Sequence, residues 1–181
     1  MAVDMKKTIA EATGTLLLKK NVKKLTVKDI VEECHITRQS FYYHFEDIPN
    51  LLHWMLEQGM DQMMEKIRKK DGPEAGLRYF FLVAINTMPY FKKSMESNYG
   101  GEIGKLLKQQ TYRLFEQNVR EGNLYQECSQ FELDLILRYH TQAVCGLLQD
   151  WTEEDTRNLD RIVHTVYLTM TGGVTSFTKL P

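Results

Sequence analysis

Apolar residues recur at helical spacing along nearly the whole chain, and this constrains its fold more than any other feature. Near the C-terminus Leu159, Ile162, Val163, Val166, Tyr167 and Met170 share one helix face, and Leu133, Ile136, Leu137, His140, Val144, Leu147, Leu148 and Trp151 nearly repeat the pattern. Ile103, Leu106, Leu107, Leu114 and Phe115 mark another such face. Each run exceeds the length of a strand and none alternates with period two, which predicts helices. Residues 79–85, Tyr-Phe-Phe-Leu-Val-Ala-Ile, are apolar without a break. A buried strand would fit them, but no neighbouring segment could pair with it, so a central buried helix is expected. The chain is therefore expected to be all-α.

Turn residues divide these helices. Asp71-Gly72-Pro73 should end one and open the next, since Gly suits the position after a helix and Pro the first turn. Pro89 should end the following helix near Met88, because the residue before Pro avoids the α region. Asn98-Tyr-Gly-Gly101 and Glu121-Gly122-Asn123 read as turns. The 181 residues suffice for one domain or two small ones. No stretch is apolar enough for a membrane span, and the first residues lack a signal peptide's apolar run. Cys34, Cys128 and Cys145 are odd in number and widely spaced. That pattern predicts no disulfide framework and a reducing, cytoplasmic setting.

The N-terminal quarter differs in having short, closely spaced helices. Ile9, Ala12, Leu16 and Leu17 give the first an apolar stripe, and the basic connector Lys19-Lys20-Asn21-Val22-Lys23-Lys24 follows. Thr26 is a good N-cap, with Asp29 placed to reach back to it as in a capping box. The helix from Val27 to about Cys34 should bury Val27, Ile30 and Val31. His35 and Ile36 alone separate it from the next cap, Thr37. The helix Arg38–Phe45 should bury Phe41 and Phe45, four apart on one face. Two short helices joined by a tight turn make a helix-turn-helix, in which the second enters the DNA major groove. With the phenylalanines inward, Arg38, Gln39, Ser40, Tyr42, Tyr43 and His44 face out, and all can hydrogen-bond. Arg38 and Gln39 can reach base edges; Ser40, Tyr42 and His44 suit phosphate oxygens. A small amphipathic helix with a merely solvated face is the plainer alternative.

The stretch Thr26-Val-Lys-Asp-Ile-Val-Glu-Glu-Cys-His-Ile-Thr-Arg-Gln-Ser-Phe-Tyr-Tyr-His-Phe45 resembles the DNA-binding domain of TetR-family transcriptional regulators. Thr26, Val27, Asp29, Ile30, Phe41, Tyr42, His44 and Phe45 match that family's pattern outright, Thr37 and Ser40 conservatively, and Leu51 fits the leucine that opens its fourth helix. The resemblance covers roughly residues 5–55. It implies that Thr26 and Lys28 touch phosphate or a base edge, that Thr37, Ser40, Tyr42 and His44 touch phosphate, and that Arg38, Gln39 and Tyr43 read bases. It implies that Ile30, Phe41 and Phe45 form the core behind them. Three positions depart from the pattern. His35 stands where the family has Gly and should adopt a left-handed backbone at a cost of roughly 1 kcal/mol. Asn21 replaces a glycine. Ile48 replaces a phosphate-contacting lysine, leaving the open N-terminus of the fourth helix to serve instead.

The charge is nearly balanced, with 23 basic and 24 acidic side chains for a net −1. This excludes affinity driven by bulk charge. Locally the balance shifts: Lys19, Lys20, Lys23, Lys24 and Lys28 fall within ten residues free of acids, and residues 1–50 carry eight basic and seven acidic groups. Alone, the lysine run reads as a solvated connector; beside the motif it suits phosphates. Specific DNA binding should then weaken steeply as salt rises.

The division expected is a helix-turn-helix domain over 1–46 and a helical effector-binding and dimerisation domain over 47–181. By resemblance the helices at about 130–150 and 155–177 pair with their copies in a homodimer, Ala143 and Gly146 allowing close approach. Tyr139 and the segment Gly146-Leu-Leu-Gln-Asp-Trp151 resemble the subgroup that includes the activator of dihydroxyacetone-kinase operons. Tyr79, Phe80, Met88, Tyr112, Phe115, Tyr139 and His140 could line an apolar pocket with a few polar handles. They also read as plain core, as do Met55, Met60, Met63 and Met64. The five histidines show no paired ligand spacing, and phosphate-binding glycine loops and GxSxG are missing, so neither catalysis, metal nor cofactor is expected. His140, His164 and Cys145 are better placed in the core than around a metal. The resulting reading is a DNA-binding regulator, expected to be a repressor, acting as a homodimer on a pseudopalindromic operator. Its partners would be double-stranded DNA, its own copy and a small-molecule or protein effector, with no membrane. The alternative is an effector- or protein-binding helical module that no longer binds DNA.

Overall fold

The computed structural model describes residues 4–20 and 22–172, and among these the regular elements are all helical. Helix α1 (Met5–Gly14) continues without a break into a π-helical turn, Thr15–Lys19. The wider turn sets both Leu16 and Leu17 into the core beside Ile9. Helix α2 (Val27–Glu33) begins at the expected capping box. Asp29 N donates to Thr26 Oγ1 at 3.3 Å, and Thr26 N and Oγ1 donate to Asp29 Oδ2 at 2.9 and 2.6 Å. The helix closes in a Schellman turn: Ile36 N reaches Val31 O at 3.0 Å and His35 N reaches Glu32 O at 3.4 Å. His35 sits at φ 54°, the left-handed value expected of it. His35→Gly should therefore raise the stability of this domain by about 0.5–1 kcal/mol, since it relieves backbone strain. It gives back part of that through the freer unfolded chain. A denaturant midpoint that does not rise would contradict the strain. Asn21 lies outside the described residues.

Thr37 caps α3 (Arg38–His44), accepting from Ser40 N at 3.1 Å. Helices α4 (Ile48–Arg68), α5 (Pro73–Met95), α6 (Gly100–Glu121) and α7 (Gln130–Gln149) are long, and α8 (Glu153–Arg157) and α9 (Leu159–Gly172) follow. Gly72, at φ 99°, and Pro73 make the α4–α5 turn as expected. Ser129 with Glu132 and Thr152 with Asp155 repeat the capping box at α7 and α8. The last stretch, expected over 155–177, is two helices, and residues 173–177 lie outside the described ones.

Pro89 does not end its helix. Helix α5 runs through it to Met95, although a proline inside a helix forfeits one N–H bond and crowds a carbonyl, at about 3 kcal/mol. Packing on both sides offsets that cost. Phe80 and Phe81 before the proline are buried in one core, and Phe91 after it packs on another. The residues around those two cores form two compact units. One holds the described residues up to Gly59 together with Pro89–Leu107, and the other holds Met60–Met88 and those from Lys108 onward. The first core joins Ile9, Leu16, Leu17, Ile30, Phe41, Phe45, Leu51 and Ile103. The second joins Phe80, Phe81, Phe115, Leu137, Val144, Leu148 and Val163.

Candidate nucleic-acid interface

Helix α3 has only seven residues, too few to hold itself together in water. Its inner side fixes it. Phe41 and Phe45 are both buried with ring centroids 6.1 Å apart, and Phe45 meets Trp54 of α4 edge-on at 5.7 Å. The outer side is then set by the helical repeat. Arg38, Gln39, Tyr42 and Tyr43 are exposed; Ser40 and His44 are half-buried. Tyr43 is 85% exposed, its ring edge-on to His44 at 5.0 Å. Tyr42 leans edge-on against Phe41 at 5.4 Å, which restricts its aim. Tyr43 buries almost no surface and so contributes little to folding. What it offers is a rigid amphipathic ring beside a guanidinium and an amide.

Several groups around α3 are already engaged. The Thr26 hydroxyl donates its proton to Asp29 Oδ2, so while the capping box is intact it has none to give a phosphate. Thr37 only accepts from Ser40 N in its cap and keeps its proton. Lys28 lies 3.7 Å from Glu32, Lys20 bonds Glu33, and Lys23 lies 3.6 Å from Glu96. The expectation for the fourth helix is corrected. Its N-terminus is not open, because Asp47 Oδ1 accepts from Asn50 N at 2.8 Å, and Ile48 is buried. A capping carboxylate fills the site that an anion would take and opposes it by charge.

Asn98 is a feature hidden from the sequence. Its Oδ1 accepts from Leu25 N at 2.9 Å, its Nδ2 donates to Leu25 O at 3.4 Å, and its N donates to Lys23 O at 2.8 Å. The turn between α5 and α6 thus holds the strand of chain that leads into the Thr26 cap. Leu25 itself is buried, and its extended backbone has no ladder to satisfy it, so the Asn98 amide supplies both partners.

The residues expected to line a pocket fall in the second unit. Phe80 and Phe115 are buried with rings 5.9 Å apart, and Met88 packs on the same core. Tyr79 lies under the Lys70 ammonium, 4.7 Å from its ring centre. The Tyr112 hydroxyl donates to Asp134 Oδ1 at 3.0 Å, and burial together with that carboxylate pushes its phenol up. His140 is buried, which pushes its imidazole down and keeps it neutral at pH 7. Tyr139 is 63% exposed on the outer side of α7. His164 Nδ1 is 2.9 Å from Glu74 Oε1. Among the described residues no group of three His, Cys, Asp or Glu side chains is placed to hold a metal, and no helix is long and apolar enough to cross a membrane. Gln110, Thr111 and Thr141 are buried polar side chains that pattern reading passed over. Their signal was a polar residue on the inward face of an apolar stripe.

Fold and interface together define a class: an all-helical protein with an N-terminal helix-turn-helix whose second helix presents polar side chains. Comparison with known proteins places that architecture. Residues 9–55 match the family model of bacterial regulatory proteins, tetR family, so this quarter of the chain is similar in sequence to that family. The dihydroxyacetone kinase operon activator DhaS shares the fold over 93% of this chain and 95% of its own, with a TM-score of 0.59 at 20% identity. The fatty acid degradation regulator FadR from Bacillus halodurans covers 96% and 98% with a TM-score of 0.53 at 16% identity. The transcriptional regulator FadR from Bacillus subtilis, solved in complex with stearoyl-CoA, covers 93% and 99% with a TM-score of 0.52 at 14% identity. No curated protein sequence matches the chain.

Proposed function

We propose that this chain is a cytoplasmic, homodimeric transcription regulator that represses from a pseudopalindromic operator. Residues 1–46 would bind DNA, and 47–181 would dimerise and take up an effector. The observation that carries this reading is the outer side of α3. Arg38, Gln39 and Tyr43 stand exposed on a helix whose inner side is locked by Phe41 and Phe45. Arg38 and Gln39 pair with base edges and Tyr43 stacks or reaches beside them. Thr37, Ser40, Tyr42 and His44 position the helix on phosphates. Lys28 leaves Glu32 for the backbone, and Thr26 contributes through its cap more than its hydroxyl. Dimerisation is supported by the outer face of α7, where Phe131, Leu135, Tyr139 and Leu147 are exposed beside Ala143 and Gly146. Two heads in one dimer would engage half-sites at least one helical turn apart, about 34–36 Å.

Fluorescence anisotropy with the duplex upstream of the protein's own gene tests the interface. Arg38→Ala and Tyr42→Ala should each weaken specific binding by about tenfold or more with the circular dichroism and oligomeric state unchanged. Lys28→Ala should weaken all sequences alike. If all three bind like the wild type, α3 is not the reading element. If the wild type binds no duplex from its own genome, the reading passes to an effector- or protein-binding module that has lost DNA.

A further inference from the structure

Among the described residues four buried side-chain atoms have no hydrogen-bond partner: Gln110 Nε2, His140 Nε2, Thr141 Oγ1 and the Tyr125 hydroxyl. The first three belong to side chains that are 4%, 5% and 4% exposed, on α6 and α7 within the second unit. These helices follow one another through a short turn. The Thr111 hydroxyl bonds the Cys145 thiol, and Tyr112 bonds Asp134, so this part of α6 packs on α7 between Asp134 and Cys145. Gln110 is next to Thr111, and Thr141 is one turn from Cys145 on the same face. All three orphaned groups therefore lie within about one turn of the Thr111–Cys145 contact, His140 being next to Thr141. Tyr125 belongs to the turn between the two helices.

Each of the three is unusual by the molecule's own standard. Thr13, Thr87, Thr165, Thr169 and Thr171 all turn their hydroxyls back on the carbonyl four residues earlier. Thr141 sits in mid-helix and does not. The Gln110 amide nitrogen can only donate, so nothing but an acceptor can satisfy it. A buried donor left unmade is costly, and native structures rarely keep one unless something else occupies its partner's place. The surroundings restrict what that is. No Lys, Arg, Asp or Glu is among the buried residues, and Phe115, Leu137 and Val144 are. A carboxylate, phosphate or ammonium brought here would be desolvated without a buried counter-charge, since Lys108, which acts on Cys145, is itself exposed.

We propose that the group formed by Gln110, His140 and Thr141 binds a small uncharged oxygenated molecule, a ketone, lactone, ester or alcohol. Its oxygen accepts from Gln110 Nε2 and from either the Thr141 hydroxyl or a His140 Nε2–H, an alcohol being able in addition to donate to Thr141 Oγ1 or to an unprotonated His140 Nε2, and its apolar body lies against the core. This rests on the effector reading above and names the effector's chemical class. The phenylalanine-rich core beside the group supplies affinity and the three polar atoms supply orientation, the usual division in ligand sites.

The test uses the full chain and nuclear magnetic resonance of the Thr141 methyl and the His140 ring. Phenol and cyclohexanone are the uncharged probes; benzoate and cyclohexylammonium are their charged counterparts. The uncharged pair should move both signals saturably and the charged pair should not. Gln110→Leu with Thr141→Val should weaken uncharged-probe binding by about tenfold or more. It should melt no lower than the wild type, since apolar side chains replace unpartnered polar ones. Thr141→Val alone, nearly the same shape, gives the same comparison if the double variant does not fold. Unmoved signals, equal binding by the variants, or equal binding by the charged probes would each overturn the proposal. DNA anisotropy is run separately. Probe binding without DNA binding keeps this site and removes the regulator reading; DNA binding with unmoved signals does the reverse.

Discussion

Phe41→Ala should destabilise the N-terminal domain by about 3–5 kcal/mol and abolish DNA binding with it. The side chain is fully buried and touches what it must hold: Phe45, which caps the end of the helix, and the edge of the Tyr42 ring. Helix α3 is too short to persist once this anchor is gone, because the cost of nucleating a helix is recovered only over more residues or by packing. The cavity left behind lies where α1, α2, α3 and α4 meet, so its walls cannot close without moving four helices. The two tryptophans make the experiment selective. Trp54 packs on the first core and Trp151 on the second. With Trp151→Phe as background, denaturation followed by fluorescence reports the unit that holds α3. Tyr43→Ala, a change of similar size on the other side of the same helix, should move that transition by less than about 0.5 kcal/mol while still impairing DNA recognition. If Phe41→Ala unfolds at the wild-type midpoint, the inner side of α3 is not what fixes its outer side.

Leu135→Glu should turn a dimer into a monomer and lower operator affinity by about 10²–10⁴. Leu135 lies midway between Phe131 and Tyr139 on the exposed face of α7, each four residues from the next. A solvated face seldom carries so continuous an apolar stripe, and patches of this kind mark interaction surfaces. A carboxylate there would have to be desolvated against its copy across a two-fold axis, with like charges brought together. In a single chain the position is already exposed, so the fold should be unaffected. Sedimentation would show the change in mass and anisotropy the loss of the second head. Arg38→Ala differs in losing DNA while keeping the dimer. A wild-type protein that sediments as a monomer, or a Leu135→Glu variant that stays dimeric, would remove α7 from the interface.

What could be read from the sequence was whatever is decided within a few residues. The Thr26–Asp29 box and the Phe41–Phe45 pair depend on spacings of three or four, and the left-handed His35 follows from the glycine that the resembled pattern has at that position; each forms as expected. Pro89 was misjudged because the local rule is right and loses: its cost is met by cores that bury Phe80 and Phe81 on one side and accept Phe91 on the other. The Asp47 cap was a local signal passed over in favour of the missing lysine. Asn98 was beyond reach, since its partner Leu25 stands 73 residues away and nothing in a turn-like Asn-Tyr-Gly-Gly distinguishes it. The outward face of Tyr139 and the inward face of its neighbour His140 show the same limit. Both were candidates for one pocket, and packing buries His140 beside Leu137 and Val144 while Tyr139 stays exposed on the stripe of Phe131 and Leu135.

The paired lysines change what salt can do to this protein. Lys20, Lys23 and Lys28 rest against Glu33, Glu96 and Glu32, whereas for Lys19, Lys24 and Arg38 no acid partner is present among the described residues. When a lysine moves from its own glutamate to a phosphate, DNA sheds a condensed cation while the abandoned carboxylate recruits one. The net release of ions is smaller than the number of phosphates contacted. A plot of log affinity against log salt, which falls by about 0.9 for each phosphate neutralised by an unpaired cation, should therefore be shallower than the count of basic residues at the interface implies. The head would meet DNA as a zwitterion trading one anion for another, less steep in its response to ionic strength than its run of lysines suggests.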